Sequence, residues 1–359
     1  MVAKPPILQG QTPNISLGGF KEKILSAPQW PVLSHLNADT SWLISLAYPP
    51  NARRPAGRTR FNILIDPWFT GAQSDVASWF STQYHAVPSS IQSIASLNSI
   101  LADVETACLS TLGTPDANGS SPTNFIDLVA ISHEFTDHCH RATLEELPSH
   151  VPVFTTTKAA QLVRSWSHFD TVVDVPPLTA TTDWRNTSNP PLPSWLGISR
   201  LTTEGNSLYY HSALIFCIAK ASLSALPTPE LDNTAAEAVI YTPHGVESGT
   251  FSQLSSARPT IETLALLHGL HDVSITLSKQ LNLGAHNAFR AQKLLKPKYW
   301  VGTHDEVKRG LGLIGPLLRR KAWTIEDAVR QAAEEEGGAG EGEKLPWVEL
   351  GNGESLVLA

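Results

Sequence analysis

Cysteine and long apolar runs are both scarce in this chain, and each scarcity excludes a class of protein. The 359 residues include only three cysteines, Cys108, Cys139 and Cys217. An odd number of thiols without CxxC spacing cannot form a closed set of disulfides, so the sequence predicts a reducing compartment and a cytoplasmic location. No apolar run reaches the roughly 18 residues that a membrane helix needs, and the N-terminal segment lacks the apolar core of a signal peptide. We therefore predict no membrane partner.

Basic residues are few and form no run. Lys and Arg number 26 against 33 Asp and Glu, which gives a formal net charge of -7. A chain of this charge is repelled by phosphate backbones, so nucleic acid is not an expected partner. Hydrophobic residues make up 42% of the sequence, which is enough for a substantial core in one large domain or two modest ones.

The stretch from Phe125 to Leu147, FIDLVAISHEFTDHCHRATLEEL, joins a short apolar run to a dense polar cluster. The run from Phe125 to Ile131 is typical of a buried strand. After the cluster, Pro148 ends a short predicted helix. The cluster consists of His133, Glu134, Asp137, His138, Cys139 and His140. Loops at such strand-to-helix junctions are where α/β folds commonly place their chemistry.

Strand and helix patterns alternate along the rest of the chain. Residues 41–48 and 61–66 are predicted strands joined by a polar turn, which favours a β-hairpin. A helix is predicted over residues 90–110. The alternation of strands and helices, with hairpins among them, predicts an α/β fold of mixed sheets covered by helices. Residues 1–35, rich in proline and glycine, are predicted to form an irregular arm, and residues 36–359 a single domain.

Two later predicted strands also end in a histidine. The apolar run before Thr242 leads to His244, and the run before Gly302 leads to His304. Imidazole is the commonest metal ligand in proteins, and zinc accepts nitrogen, sulfur and carboxylate donors. Because several strand ends can converge at one edge of a sheet, these residues and the cluster predict a metal site. The alternative is that each histidine only fills space in its loop.

The segment SHEFTDHCH resembles the His-x-His-x-Asp-His motif of the metallo-β-lactamase superfamily. The order of ILIDPWFTG after an early hairpin and GTHDE after a late strand is similar to the ascorbate-lactonase-like branch and its fungal relatives. The resemblance extends over residues 35–310. It implies an αββα four-layer sandwich of two mixed β-sheets flanked by helices. It also implies hydrolysis of a small ester, lactone or lactam by a metal-bound water.

The chain departs from that motif at two positions. Phe135 stands where the second histidine is expected, and phenylalanine cannot bind a metal. His244 stands where the superfamily has an aspartate that bridges two metals, and His211 is the residue nearest to a further expected histidine. The positions that match are His133 for the first histidine, Asp137 for the aspartate and His138 for the last histidine. A complete two-zinc site is therefore not predicted.

The resemblance implies one metal ion, with zinc first and manganese or iron as alternatives. The expected ligands are Asp137, His138 and His304, with His244 as a fourth. Three protein ligands and a water are the arrangement of catalytic zinc. His133, Asp137 and His244 are the expected catalytic residues, and His133 would orient the water, help to bind the ion or donate a proton. Asp66, at a strand end, is expected to hydrogen-bond a ligand histidine.

The remaining motifs and residues indicate a function less specifically. The segment from Gly310 to Gly315 matches G-x-G-x-x-G but lacks the preceding buried strand that a dinucleotide site needs. The sequence contains no G-x-S-x-G motif, so a serine hydrolase is not predicted. The remaining residues considered are Glu134 and His140 as substitute ligands, Cys139 as a buried residue, His286 as a helix start, and Trp68 and Phe69 as pocket or core aromatics.

The sequence thus favours a metal-dependent hydrolase of a small-molecule substrate. A second hypothesis is a binding or accessory protein on the same fold, because Phe135 removes a ligand and leaves the metal site partial or absent. A third keeps the pocket for metal-free acid–base chemistry through His133 and His138. The sequence predicts no oligomeric state.

Overall fold

A computed structural model describes residues 17–75, 77–113, 122–203, 205, 209–223, 234–275, 279–313, 317–335 and 345–359. The strands are β1 (Val32–His35), β2 (Trp42–Ala47), β3 (Arg60–Ile65), β4 (Thr82–Tyr84), β5 (Leu128–Ile131), β6 (Val153–Thr155), β7 (Val172–Asp174), β8 (Leu196–Thr202), β9 (Ser212–Ala219), β10 (Ala236–Thr242), β11 (Ile261–His268), β12 (Asp272–Ile275), β13 (Lys279–Asn282), β14 (Tyr299–Val301), β15 (Arg309–Leu311), β16 (Leu318–Lys321), β17 (Trp347–Val348) and β18 (Ser355–Val357). The helices are α1 (Phe20–Ser26), α2 (Ile94–Thr111), α3 (Arg141–Leu144), α4 (Thr157–Ser165), α5 (Ser252–Ser255), α6 (Ala285–Leu295) and α7 (Ile325–Glu335).

Two large mixed sheets form the centre of the molecule. The first has seven strands in the order β18-β1-β2-β3-β5-β6-β7, and the second has six in the order β17-β14-β11-β10-β9-β8. In the first sheet β3, β5, β6 and β7 run parallel, while the other pairs are antiparallel. In the second sheet the parallel strands are β10, β11, β14 and β17. The carboxyl ends of neighbouring parallel strands therefore lie at one edge of each sheet.

The central hydrophobic core lies between the two sheets. Side chains alternate in direction along a strand, and in β2 Trp42, Ile44 and Leu46 enter this core together with Leu214 and Phe216 from β9. The intervening residues of β2, such as Leu43, face the opposite side of the sheet and pack in a second core. Both faces of the first sheet are thus buried, as its almost wholly buried strands require.

Helices cover the outer face of each sheet. Helix α2 buries an apolar stripe at spacings of three and four residues against the first sheet, and α6 does the same on the second. The stripe of α2 consists of Ile94, Leu97, Leu101, Val104 and Cys108. The predicted αββα sandwich of two mixed sheets flanked by helices is therefore confirmed. None of the helices in the described ranges has the length and apolar character needed to cross a bilayer.

The irregular arm predicted for residues 1–35 is wrong over its second half, whereas residues 1–16 lie outside the described residues. Phe20 and Ile24 of α1 are one helical turn apart. Both are buried in the second core, on the outer face of the first sheet, which we call the outer core. Strand β1 pairs with β2 on one side and β18 on the other. The prediction relied on the number of prolines and glycines in this segment and overlooked the four-residue spacing of Phe20 and Ile24. The predicted hairpin is confirmed as β2 and β3, and the helix predicted over residues 90–110 is α2.

Candidate metal centre

Three loops that follow parallel strands meet where the two sheets face each other. The loop after β5 carries His133 and His138, the loop after β10 carries His244, and the loop after β14 carries His304. The rings of His133 and His138 have centroids 3.9 Å apart, and His304 lies 4.9 Å from His138 and 4.8 Å from His244. All four residues are at least 93% buried. The structure therefore brings together histidines that the sequence placed at separate strand ends.

Each of these imidazoles is fixed through its Nδ1 atom by an oxygen of a neighbouring side chain. The pairs are His133 with Ser132 Oγ at 2.9 Å, His138 with Asp66 Oδ2 at 2.6 Å, His244 with Asn282 Oδ1 at 2.7 Å and His304 with Asp39 Oδ1 at 3.0 Å. Carboxylate and amide oxygens only accept, so the Nδ1–H groups donate to them. Ser132 Oγ donates its own proton to Asp66 at 2.6 Å, and it therefore accepts from His133. Such partners fix the tautomer and the ring direction of a metal-binding histidine.

With Nδ1 protonated, each Nε2 atom presents an unshared lone pair to the centre of the cluster. His133 Nε2 and His244 Nε2 are 2.9 Å apart, and His138 Nε2 has no hydrogen-bond partner among the residues that the structure describes. Two lone pairs at this distance repel each other unless a cation lies beside them. Nitrogen ligands of one tetrahedral zinc lie about 3.3 Å apart, given Zn–N bonds of roughly 2.0–2.1 Å. These donors fit a bound cation.

Burial keeps most of these imidazoles in the neutral form that binds metals. Burial lowers the pKa of His133 and of His244 well below the ordinary value, and nearby histidines lower it further. Burial also lowers the pKa of His304, against the attraction of Asp39. At His138 burial acts in the same direction, but the carboxylates of Asp137 and Asp66 outweigh it and raise the pKa. His138 is thus the imidazole at which positive charge is most stabilised.

Two donor sets share His138. The first is His133, His138 and His244, and the second is Asp137, His138 and His304; in each set the donor atoms lie within 4.8 Å of one another. Asp137 Oδ1 lies 3.6 Å from His138 Nε2, and its Oδ2 lies 3.9 Å from His304 Nε2. The predicted ligands Asp137, His138 and His304 are therefore neighbours, and His133 and His244 adjoin them.

A buried lysine that the sequence did not single out lies beside Asp137. Lys308 Nζ is 2.6 Å from Asp137 Oδ2 and 2.7 Å from Asp39 Oδ2. Burial raises the pKa of Asp137, but the charge of Lys308, followed by those of His138 and His304, holds it well below the usual range. Lys308 balances only one of the three formal charges of Asp39, Asp66 and Asp137. The two that remain match one divalent cation.

Asp66 is the acceptor around which this side of the site is arranged. Its carboxylate is fully buried and accepts from the Ser132 N–H, the Ser132 hydroxyl, His138 Nδ1 and the Tyr241 hydroxyl, at 2.6–2.8 Å. Its backbone has a φ of 41°, in the left-handed region, which costs roughly 1–3 kcal/mol for a residue other than glycine. The strained turn directs the carboxylate from β3 beneath His138. Asp66 therefore hydrogen-bonds His138, one of the histidines that the sequence predicts as ligands.

The loops that carry His244 and His304 are held equally closely. Gly245 has a φ of 75°, and a Cβ there would lie 2.7 Å from Leu283 Cβ, so only glycine lets the two segments approach. That approach sets His244 against Asn282. His304 has a φ of 59°, and its backbone N–H donates to the Asp39 carbonyl at 3.0 Å. Asp39 thus fixes both the backbone and the ring of His304.

Phe135 forms an apolar wall where the resembled motif has a ligand. Its ring centroid lies 4.9 Å from that of His133, 5.3 Å from that of Tyr210 and 6.2 Å from that of His244. The side chain thus touches the histidine set but offers no donor atom. This side of the cluster is hydrocarbon.

Several residues considered from the sequence do not join the cluster. His211 donates through Nε2 to the Leu281 carbonyl, so its match to the further histidine of the motif finds no support in the structure. The others have local roles: His140 caps α3, Glu134 accepts from the Tyr209 hydroxyl, Cys139 is buried with a raised pKa, His286 stacks edge-on with Trp323, Trp68 stacks on His85, and Phe69 lies in the outer core. Of the glycine motif, residues 314–316 lie outside the described residues, and β15 at its start is an exposed strand.

Sequence reasoning missed Asp39, Lys308, Asn282 and Ser132. Ser132 lay within the motif loop, and Lys308 follows His304 by four positions. Asp39 and Asn282 had no local signal, because an aspartate or asparagine in a loop is ordinary. All three cysteines, including Cys139 in the motif loop, are free and buried.

Comparison with known proteins gives structural neighbours only. No family model and no curated protein matches the sequence. An isothiocyanate hydrolase from Delia radicum gut bacteria is 14% identical, with 90% of this chain and 98% of that chain covered and a TM-score of 0.46. For a metallo hydrolase of the archaeon Ignicoccus hospitalis the values are 15%, 91%, 97% and 0.42. For a metallo-β-lactamase fold protein of Bacillus subtilis they are 11%, 91%, 99% and 0.42.

Proposed function

We propose that this protein is a hydrolase that depends on one divalent metal ion and acts on a small ester, lactone or lactam. The observation that carries the proposal is the set of imidazoles with bonded Nδ1 atoms and converging Nε2 atoms. A structural histidine normally satisfies both ring nitrogens by hydrogen bonds. Here Nδ1 of each ring is hydrogen-bonded to a side-chain oxygen, His138 Nε2 has no partner among the described residues, and the Nε2 atoms of His133 and His244 meet at 2.9 Å.

His138 and His304 have different roles in the proposed reaction. His138 belongs to both donor sets and would hold the ion, with its ring fixed by Asp66. A divalent ion bound there would lower the pKa of a water toward roughly 7 and polarise a carbonyl oxygen. His304 is held by Asp39 through its Nδ1–H, so its Nε2 is unprotonated and is placed to accept a proton from the attacking water.

The ordering of polar groups behind the site supports catalysis over mere storage of an ion. Asp66, Ser132 and Tyr241 are all buried, and the hydroxyls of Ser132 and Tyr241 both donate to the Asp66 carboxylate. Fixed dipoles of this kind need no reorganisation during a reaction. The apolar wall of Phe135 and Tyr210 excludes water from one side of the imidazoles, which strengthens electrostatic interactions within the site.

Metal content and hydrolysis test the proposal together. Protein purified without chelators is analysed for zinc, manganese and iron, and is then assayed on a panel of esters, lactones and lactams with and without EDTA. We expect about one ion per chain and turnover that EDTA abolishes. His138→Gln is expected to lose the ion, whereas His150→Gln, at an exposed histidine, keeps it.

Other outcomes identify the alternatives. A metal-free protein that hydrolyses a substrate in EDTA would establish acid–base chemistry through His133 and His138. A metal-free protein that binds a small molecule without turnover would establish a binding or accessory protein. Either result would overturn the metal-dependent hydrolase.

A further inference from the structure

The two donor sets cannot both hold an ion in the same way. His138 belongs to each set, but its single Nε2 lone pair binds only one cation. Its Nδ1 is committed to Asp66 at 2.6 Å. The site must therefore favour either the three imidazoles of His133, His138 and His244 or the mixed set of Asp137, His138 and His304.

The mixed set already has a cation. The Lys308 ammonium lies 2.6 Å from Asp137 Oδ2 and 2.7 Å from Asp39 Oδ2. A metal ion in its place would be bound by the same two carboxylates, at shorter distances of roughly 2.0–2.2 Å. The Lys308 side chain is only 5% exposed, and Nζ lies 5.3 Å from the centroid of the Trp68 ring. Its position is thus fixed by two anions and an aromatic face.

The three-histidine set has no such cation. No lysine or arginine of the described residues forms an ion pair or hydrogen bond with His133, His138 or His244. The 2.9 Å approach of His133 Nε2 to His244 Nε2 brings two lone pairs together. The uncompensated donors are therefore on this side, and the compensated ones are on the side of Asp137.

We propose that Lys308 takes the place of a second metal ion and confines the resident ion to His133, His138 and His244. This inference rests on the proposed function and specifies its ligands. Of the five ligands expected from the sequence it keeps His133, His138 and His244 and excludes Asp137 and His304. Lys308 then acts as a positioning residue, because it holds Asp137 and, through Asp39, His304 beside the ion.

The first test needs no substitution. Cobalt-substituted wild-type protein is examined by proton NMR for exchangeable imidazole N–H signals that the paramagnetic ion displaces. Three ligand histidines with protonated Nδ1 atoms give three such signals. The mixed set contains two histidines and gives two, and a pair of ions engaging all four gives four. Either of the last two results would overturn the inference. An absence of bound metal would instead overturn the proposed function.

A second test counts ions in variants. Lys308→Met is expected to raise the zinc bound per chain from one to two, because it frees the oxygens of Asp137 and Asp39 beside His304. Lys279→Met, at an exposed lysine of β13, is the matched control and should remain at one. Asp137→Asn should keep the single ion with an affinity within about threefold of wild type, while His244→Gln should lose at least tenfold in affinity. Loss of the ion in Asp137→Asn with retention in His244→Gln would reverse the assignment.

Discussion

Replacing Asp66 by asparagine tests the logic of the site most directly. The substitution preserves size and removes one charge. Asp66 Oδ2 now accepts from the Ser132 hydroxyl, His138 Nδ1 and the Tyr241 hydroxyl. The amide can turn its oxygen toward these three donors, and its NH₂ then takes the place of Oδ1 and faces the Ser132 N–H, which loses its acceptor. The three bonds that remain go to a neutral oxygen instead of a charged one.

His138 Nδ1 then keeps its proton but donates to a neutral acceptor, so the ring is held less firmly and its Nε2 is a less basic metal ligand. Hydrogen bonds to a charged acceptor are worth roughly 1.5–3 kcal/mol each. With one bond lost and three weakened, we expect the free energy of unfolding of the metal-free protein to fall by about 2–4 kcal/mol. Metal affinity should fall about 10–100-fold, as for other partners of ligand histidines.

Two measurements separate these effects. Urea unfolding in EDTA gives the stability of the metal-free protein, and competition with a chelator gives the metal dissociation constant. The ¹⁵N shifts of the His138 ring are expected to show Nδ1 still protonated. Asp174→Asn, at an exposed carboxylate paired with Arg164, is the control and should change neither quantity. The reasoning fails if Asp66→Asn binds metal as tightly as wild type.

Four further outcomes are expected. Phe135→His should tighten metal binding at least tenfold by adding a nitrogen beside His133; unchanged affinity in chelator competition would contradict the alignment of this loop. Tyr241→Phe should cost about 2 kcal/mol in urea unfolding, since it removes a donor to a buried carboxylate, and an unaltered midpoint would refute that role. Burial lowers the pKa of His268 to about 4; its contribution is therefore complete above pH 6.5 and decreases by about 3 kcal/mol as the pH falls to 4. His268→Gln should flatten this acid limb in urea titrations, and an equally steep limb would exclude it. Metal at 100 times its dissociation constant should stabilise the protein by about 2.7 kcal/mol over EDTA, and identical thermal midpoints would show that no ion binds the folded state.

The elements that sequence reasoning predicted are those with a local pattern. Strands β2 and β3 are apolar runs on either side of a polar turn, and α2 repeats apolar residues at helical spacing. Helix α1 and strand β1 also contain apolar residues at regular spacing, but both are short and lie among prolines and glycines. Their stability comes from packing on the sheet and pairing with β18, which joins opposite ends of the chain. Composition could not reveal that pairing.

The same division applies to the site. His133, His138, His244 and His304 were found because each follows an apolar strand, and such ends converge. Lys308 was passed over because an isolated lysine in a loop is usually solvated. Its burial follows from Asp39 and Asp137, which are 98 positions apart and become neighbours only in the fold. Tertiary placement, which no spacing rule encodes, gave these groups their importance.

The distribution of donors over both sheets bears on the order of folding. His133 and His138 follow β5 of the first sheet, His244 follows β10 of the second, and His133 and His244 are 111 positions apart. An ion finds its full set of ligands only after the two sheets have docked. Contacts that form after the transition state slow unfolding and leave the rate of folding unchanged. A bound metal ion would therefore slow unfolding and prolong the lifetime of the native chain.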